Sequence, residues 1–123
     1  MALRILIAED EVEMRTLILF IIRQDPAIHL VGEAEDGDDT IVQTRQHHPD
    51  LVLMDVMMPL VDGLEATRVI KRELPATKVL VLTNLTDERT RREAFDSGAD
   101  AFIDKRDIAT RLVRAIWNTA RAA

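Results

Sequence analysis

Asp55 closes the apolar run Leu51-Val52-Leu53-Met54, and an acidic triplet, Glu9-Asp10-Glu11, closes the run Ile5-Leu6-Ile7-Ala8. Two further apolar runs end in Thr83, after Val79-Leu80-Val81-Leu82, and in Lys105, after Ala101-Phe102-Ile103-Asp104. The run into Asp55 reads as a strand buried on both faces. A carboxylate at its mouth is costly unless something there uses it. In a parallel sheet all four ends would lie on one edge, gathering carboxylates, one hydroxyl and one ammonium. That set suits phosphoryl chemistry on an aspartate. An ionised aspartate can attack phosphorus and form an acyl phosphate, but carboxylate and phosphoryl group repel one another. Glu9, Asp10 and Asp55 are grouped hard oxygen ligands of the kind Mg²⁺ accepts, taking one or two carboxylates directly and keeping several waters. The ion would offset the repulsion. Lys105 would place a point charge on a phosphoryl oxygen, and Thr83 would donate a hydrogen bond to another.

Singly, these residues say little. An Asp after a strand is usually a cap or turn residue, Thr83 alone a turn residue, and Lys105 alone a solvated lysine. Their order carries the inference: acids after the first strand, Asp after the third, Thr after the fourth, Lys after the fifth.

The elements that must position them follow from the pattern. Strands are predicted near 3–8, 29–33, 51–54, 79–82 and 101–103, and helices near 11–24, 38–47, 63–73, 87–97 and 107–121. Five βα units in succession give a parallel sheet with helices on both faces. Asp25-Pro26, Asp36-Gly37-Asp38, His48-Pro49, Met58-Pro59 and Ser97-Gly98 fall between elements, as turn chemistry requires. On the first helix Met14, Leu17, Ile18 and Ile21 form the expected core stripe. The segment 86–97 has Thr86 as its expected N-cap and little to bury beyond Ala94 and Phe95. Such a helix is either an element that shifts or a solvated edge helix. Arg89, Arg91 and Arg92 on it read as a solvated basic patch.

The 123 residues suit one domain, with 47% hydrophobic and 31% charged residues, as in ordinary globular proteins. A net charge of −6 argues against direct nucleic-acid binding by this chain. No cysteine means no disulfide framework and no thiolate metal site. No apolar run is long enough for a signal peptide or a membrane span, so the expected location is cytoplasmic.

With these residues in view, the whole chain resembles the receiver domains of bacterial two-component response regulators. The most specific stretch is Pro49-Asp50-Leu51-Val52-Leu53-Met54-Asp55 through Met57-Met58-Pro59 to Asp62-Gly63. Leu82-Thr83 and Gly98-Ala99-Asp100-Ala101-Phe102-Ile103-Asp104-Lys105 match as well. The resemblance implies a (βα)5, doubly wound, flavodoxin-like α/β fold with strand order 2-1-3-4-5 and ligands at the carboxyl ends of the strands. It implies that Asp55 is the phosphoacceptor and a sensor histidine kinase the donor. It further implies that Mg²⁺ is bound by Asp10, Asp55 and the backbone carbonyl of Met57, with Glu9 acting through a water. Thr83 and Phe102 would be the switch pair, Thr83 moving toward the phosphate and Phe102 turning inward. The stretch Val31-Gly32-Glu33-Ala34-Glu35-Asp36-Gly37 looks most like receivers attached to helix-turn-helix transcription factors. Residues 1–123 are then expected to be a receiver alone, with its transcriptional output outside this chain. Two positions depart from the commonest pattern: Glu9 stands where aspartate is frequent, and Arg106 follows Lys105 where proline is common.

Other readings fit less well. A flavin or nucleotide binder would not place Glu9-Asp10-Glu11 against a phosphate. A phosphatase acting on an external substrate would want an acid two residues beyond its nucleophile, where Met57 stands, so no enzyme turnover is expected. A receiver-like adaptor without phosphorylation would have no reason to keep the polar set. His29, His47 and His48 are scattered strand and loop residues. Finally, the first and last helices should lie side by side. Ala109, Leu112, Ile116 and Ala120 form the expected core stripe of the last helix. Leu19, Phe20, Val113 and Trp117 then form one exposed apolar patch, suited to a two-fold homodimer. The alternative is that Trp117 folds back over its helix and Phe20 is an incidental exposed aromatic.

Overall fold

The structure is a computed structural model that describes residues 2–84 and 87–122. Five strands alternate with five helices: β1 (Leu3–Ala8), α1 (Val12–Ile22), β2 (Ile28–Ala34), α2 (Gly37–His47), β3 (Leu51–Asp55), α3 (Gly63–Glu73), β4 (Lys78–Thr83), α4 (Glu88–Asp96), β5 (Ala101–Asp104) and α5 (Ile108–Arg121). A single 3₁₀ turn, Lys105–Asp107, leads into α5. All strand pairs are parallel, in the order β2-β1-β3-β4-β5. The expected doubly wound sheet is therefore present, with element bounds within two residues of those predicted.

Every residue of β3 is buried, and β1 and β4 nearly so, which is why their sequences are unbroken apolar runs. Alternate residues feed two cores. Leu6, Val52, Met54, Val79 and Val81 pack with Ile41, Leu64, Ile70 and Ala94 of α2, α3 and α4. Ile5, Ile7, Leu51, Leu53, Leu80 and Leu82 pack with Ile18, Ile22, Ile108, Leu112 and Ile116 of α1 and α5. Right-handed crossovers put α1 and α5 on one face and the other helices on the opposite one.

Both outer stripes differ from expectation. On α1 the fully buried residues are Ile18 and Ile22, Leu19 packs against the core, and Leu17 is 42% exposed. The helix is wedged between the sheet and α5, so its buried arc centres on Ile18 and Ile22. On α5, Leu112 and Ile116 are buried as expected, but Ile108 and Thr119 complete the stripe while Ala109 faces solvent. The short helix α4 buries Ala94 alone and leaves Phe95 46% exposed. Its N-cap is Asp87, whose carboxylate accepts from the Thr90 amide at 2.7 Å. The expected Thr86 cap lies outside the described residues.

Candidate functional site

The chain runs from β1 outward to β2, then returns across β1 to β3, so the carboxyl ends of β1 and β3 flank the point where strand order reverses. Glu9 and Asp10 follow β1 and Asp55 is the last residue of β3. Thr83 ends β4, and Lys105 opens the 3₁₀ turn after β5. Two local devices bring the last members in. The Asp104 carboxylate accepts from the Arg106 amide at 2.8 Å, tightening the turn that aims Lys105 inward. Gly63, at the start of α3, packs so closely that a Cβ there would lie 1.9 Å from the Asp55 carbonyl oxygen. Only glycine permits that approach.

The result is a polar cluster inside an apolar frame. Glu9, Asp55, Thr83 and Lys105 are buried, while Asp10 is exposed at the rim. Lys105 Nζ lies 2.8 Å from Glu9 Oε1 and 3.1 Å from Asp55 Oδ1. Glu9 Oε2 accepts from the Glu11 amide at 3.2 Å, and Asp55 Oδ1 takes a long contact of 3.4 Å from the Met57 amide. Carboxylate oxygens of Glu9, Asp10 and Asp55 all lie within 4.8 Å of one another. Burial first, then contact with Glu9 and its charge, push the Asp55 carboxyl up to about 7, with Lys105 opposing. Burial alone would lower Lys105, but its contacts with Glu9 and Asp55 outweigh burial and raise it. Three carboxylates against one ammonium leave an uncompensated negative site. Glu9 Oε1 is moreover buried with no aligned hydrogen-bond donor, its close neighbour being the Lys105 ion-pair partner. A hard divalent cation is the species such a donor set suits.

Asp10, Asp55, Met57, Thr83 and Lys105 line one open hollow, as the sequence suggests, and Asn84 joins them without having been singled out by the sequence pattern. A larger hollow at the opposite edge of the sheet, between Asp25, Lys78 and Trp117, is remote from this cluster. Phe102 is not in the hollow. It sits half-buried against the core on the α4 side, with the Arg91 guanidinium 5.9 Å from its ring centroid. Arg91 is therefore more than the solvated patch its sequence suggests. No cis peptide occurs among the described residues, so the Lys105–Arg106 link is trans.

The family model of the response regulator receiver domain matches residues 5–117. The chain belongs to this family. Among curated relatives, the receiver is 36% identical over 119 residues to the response regulator protein VraR of Staphylococcus epidermidis, covering 97% of this chain and 57% of that one. It is 45% identical over 104 residues to a protein-glutamate methylesterase/protein-glutamine glutaminase of Myxococcus xanthus, covering 84% of this chain and 30% of that one. The receiver thus spans little more than half, or less, of these relatives. Among solved structures it is similar to a two-component response regulator of the LuxR family from Aurantimonas, with a TM-score of 0.93 and 29% identity over 98% of this chain and 86% of that chain. The response regulator domain of Thermotoga maritima CheB gives 0.92 and 28%, covering 100% of this chain and 99% of that one.

The patch expected on α1 and α5 is only partly present. Phe20 is 65% exposed, but Trp117 is half-buried and its indole Nε1 donates to Asp25 Oδ2 at 2.7 Å. Leu19 and Val113 pack against the core beneath it. Trp117 therefore folds back, and the exposed large apolar residues of α1 are Val12 at its start and Leu17 and Phe20 further along. A further residue that the sequence pattern does not flag is Arg15, whose guanidinium reaches the Glu9 carbonyl oxygen at 2.8 Å. A basic residue on a polar helix face gives no periodic signal that could have found it.

Proposed function

We propose that this receiver is a phosphorylation-activated switch whose acceptor is Asp55, charged by a sensor histidine kinase in a two-component phosphorelay. The observation that carries the reading is the buried triad of Glu9, Asp55 and Lys105, joined by Asp10 and Thr83 at one sheet edge. Asp10, Asp55 and the Met57 carbonyl, with Glu9 behind them, would hold Mg²⁺, which neutralises charge on the transferring phosphoryl group. An Asp55 carboxylate oxygen forms the new bond to phosphorus. The donor's bond to phosphorus breaks and its electron pair leaves with the donor. Lys105 holds the acceptor carboxylate in place and offers its ammonium to the anionic oxygens. Thr83 supplies a hydroxyl to the product phosphoryl group, and Phe102 turns inward into the space Thr83 vacates.

The chain's own chemistry ends with self-phosphorylation and slow self-dephosphorylation, without turnover of an external substrate. We read the output as transcriptional and carried outside this chain, which spans 57% of the response regulator protein VraR and is similar to a LuxR-family response regulator. No helix among the described residues is long and apolar enough to cross a membrane. We read the switch as cytoplasmic, as contacting neither membrane nor nucleic acid itself, and as homodimerising through α1 and α5. The deciding experiment is intact mass after incubation with Mg²⁺ and acetyl phosphate. Wild type should gain one phosphoryl group, and both chelation and Asp55→Asn should prevent it. Full labelling of Asp55→Asn would refute the assignment.

A further inference from the structure

Arg15 sits one turn into α1 with a side chain only 14% exposed. Its Nη1 donates to the backbone oxygen of Glu9 at 2.8 Å, its Nη2 to Glu35 Oε1 at 3.2 Å, and its Nε lies 3.3 Å from Glu33 Oε1. One guanidinium therefore spans the turn after β1 and the acidic end of β2. The Glu9 amide in turn donates to the Ala34 carbonyl at 3.0 Å, so the Glu9 peptide is held on both sides. Glu9 and Asp10 lie in this turn, and their carboxylates converge on Asp55. The capping residue of α1, Glu11, makes no side-chain cap hydrogen bond, so the fork from Arg15 supplies an anchor there that the cap does not.

We propose that Arg15 is a positioning residue for the divalent-cation site: it fixes the turn after β1 so that Glu9 and Asp10 face Asp55 before the ion arrives. The inference rests on reading that cluster as a Mg²⁺ site. Its physical basis is that groups behind the ligands set ligand orientation, and their loss weakens metal affinity by about 10-fold or more. Charge alone predicts the opposite. Removing a cation from the neighbourhood of an acidic site should favour Mg²⁺, because the guanidinium and the ion carry charge of the same sign. The two effects differ in sign.

The test is titration of ¹⁵N-labelled protein with MgCl₂, followed by backbone amide shifts around Glu9 and Asp55. Wild type, Arg15→Met and Arg15→Lys are compared, with melting temperatures recorded in EDTA. Arg45→Met is the stability control, because it breaks the Arg45–Glu73 pair between α2 and α3 at 2.7 Å, away from the site. Arg15→Met should bind Mg²⁺ about 10-fold more weakly than wild type. Arg15→Lys should also bind more weakly, since an ammonium keeps the charge but cannot fork to the carbonyl and both acids. Arg45→Met should bind as wild type does, whatever its melting temperature. Equal or tighter binding by Arg15→Met, or Arg15→Lys matching wild type, overturns the positioning role while leaving the Mg²⁺ site intact. A wild type that does not respond to Mg²⁺ overturns both. Should Arg15→Met fail to fold, the lysine variant alone decides.

Discussion

The Lys105 ammonium lies nearer to Glu9, at 2.8 Å, than to Asp55, at 3.1 Å. One buried cation thus serves two buried carboxylates, and Asp55 remains raised from an ordinary value near 3.8 to about 7. A carboxyl with a higher pKa folded than unfolded adds stability that is complete below the unfolded value and lost as pH rises through the folded one. Without divalent ions, ionisation of Asp55 should therefore erode stability between about pH 4 and pH 7, levelling off above. Asp55→Asn cannot ionise. Its stability advantage over wild type should be wider at pH 8 than at pH 5 by on the order of 1–3 kcal/mol. Urea melts of both proteins in EDTA at the two pH values measure this, and a gap that does not widen contradicts it. Millimolar Mg²⁺ should close the gap by stabilising wild type.

The second prediction concerns the lifetime of the phosphoryl group. Hydrolysis needs a water aligned with the bond to be broken. Met57, 64% exposed at the rim of the hollow, can neither orient nor deprotonate one. Leu85, two residues beyond Thr83 as Met57 is two beyond Asp55, lies outside the described residues. Slow self-dephosphorylation is expected. Met57→Asn combined with Leu85→Glu should shorten the lifetime by about 10-fold or more, read from intact mass after removal of the phosphodonor. An unchanged decay in the double variant would place the control elsewhere.

Arg91 over Phe102 gives the third. A cation stacked on a partly exposed ring contributes about 0.5–1 kcal/mol, and α4 has little else to hold it, with Ala94 as its one buried residue. The stack therefore favours the half-buried ring position of this structure over the inward one proposed for the phosphorylated state. Arg91→Ala should shift the equilibrium toward the inward ring by about 2- to 5-fold. Side-chain NMR of Phe102 at partial phosphorylation should show a larger inward population in the variant. Equal populations would mean that Arg91 does not weigh on the switch.

Much of this is legible in the sequence because β3 and β4 end in, and β1 and β5 run directly into, residues of different chemistry from their interiors. Asp55, Thr83 and Lys105 mark both the strand ends and the site, so fold and site come from the same pattern. What the pattern does not give is tertiary. Leu17 and Leu19 exchange roles because α1 is wedged against α5 as well as the sheet, and a single-stripe reading assumes one contact surface. Trp117 turns inward because Asp25, ninety-two residues away in sequence, offers its carboxylate to the indole. Leu60, at φ 66° and 80% exposed, occupies a left-handed position directly after the Met58-Pro59 turn signal, where a leucine gives no hint of positive φ. Arg15 and Arg91 look like solvated charges until their partners are placed.

The last prediction follows from Trp117. Its Nε1 bond to Asp25 and the Arg121 guanidinium 5.0 Å from its ring make it a brace between the ends of α1 and α5. It is then not the anchor of an interface. Any two-fold dimer through these helices must be led by Phe20, with Leu17 beside it. Exposed aromatics of this kind carry a large share of binding energy. Dimerisation through this face is expected to strengthen on phosphorylation, and Phe20→Glu should weaken it by about 10-fold or more without loss of melting temperature. Asp25→Ala, which frees the indole but leaves Phe20 in place, should lower the melting temperature and leave the monomer–dimer equilibrium close to wild type. Sedimentation of the three proteins, each with and without acetyl phosphate, separates the roles. A wild type that stays monomeric when phosphorylated at high concentration, or a dimer indifferent to Phe20→Glu, excludes this surface. A dimer lost in Asp25→Ala but kept in Phe20→Glu would return the interface to Trp117.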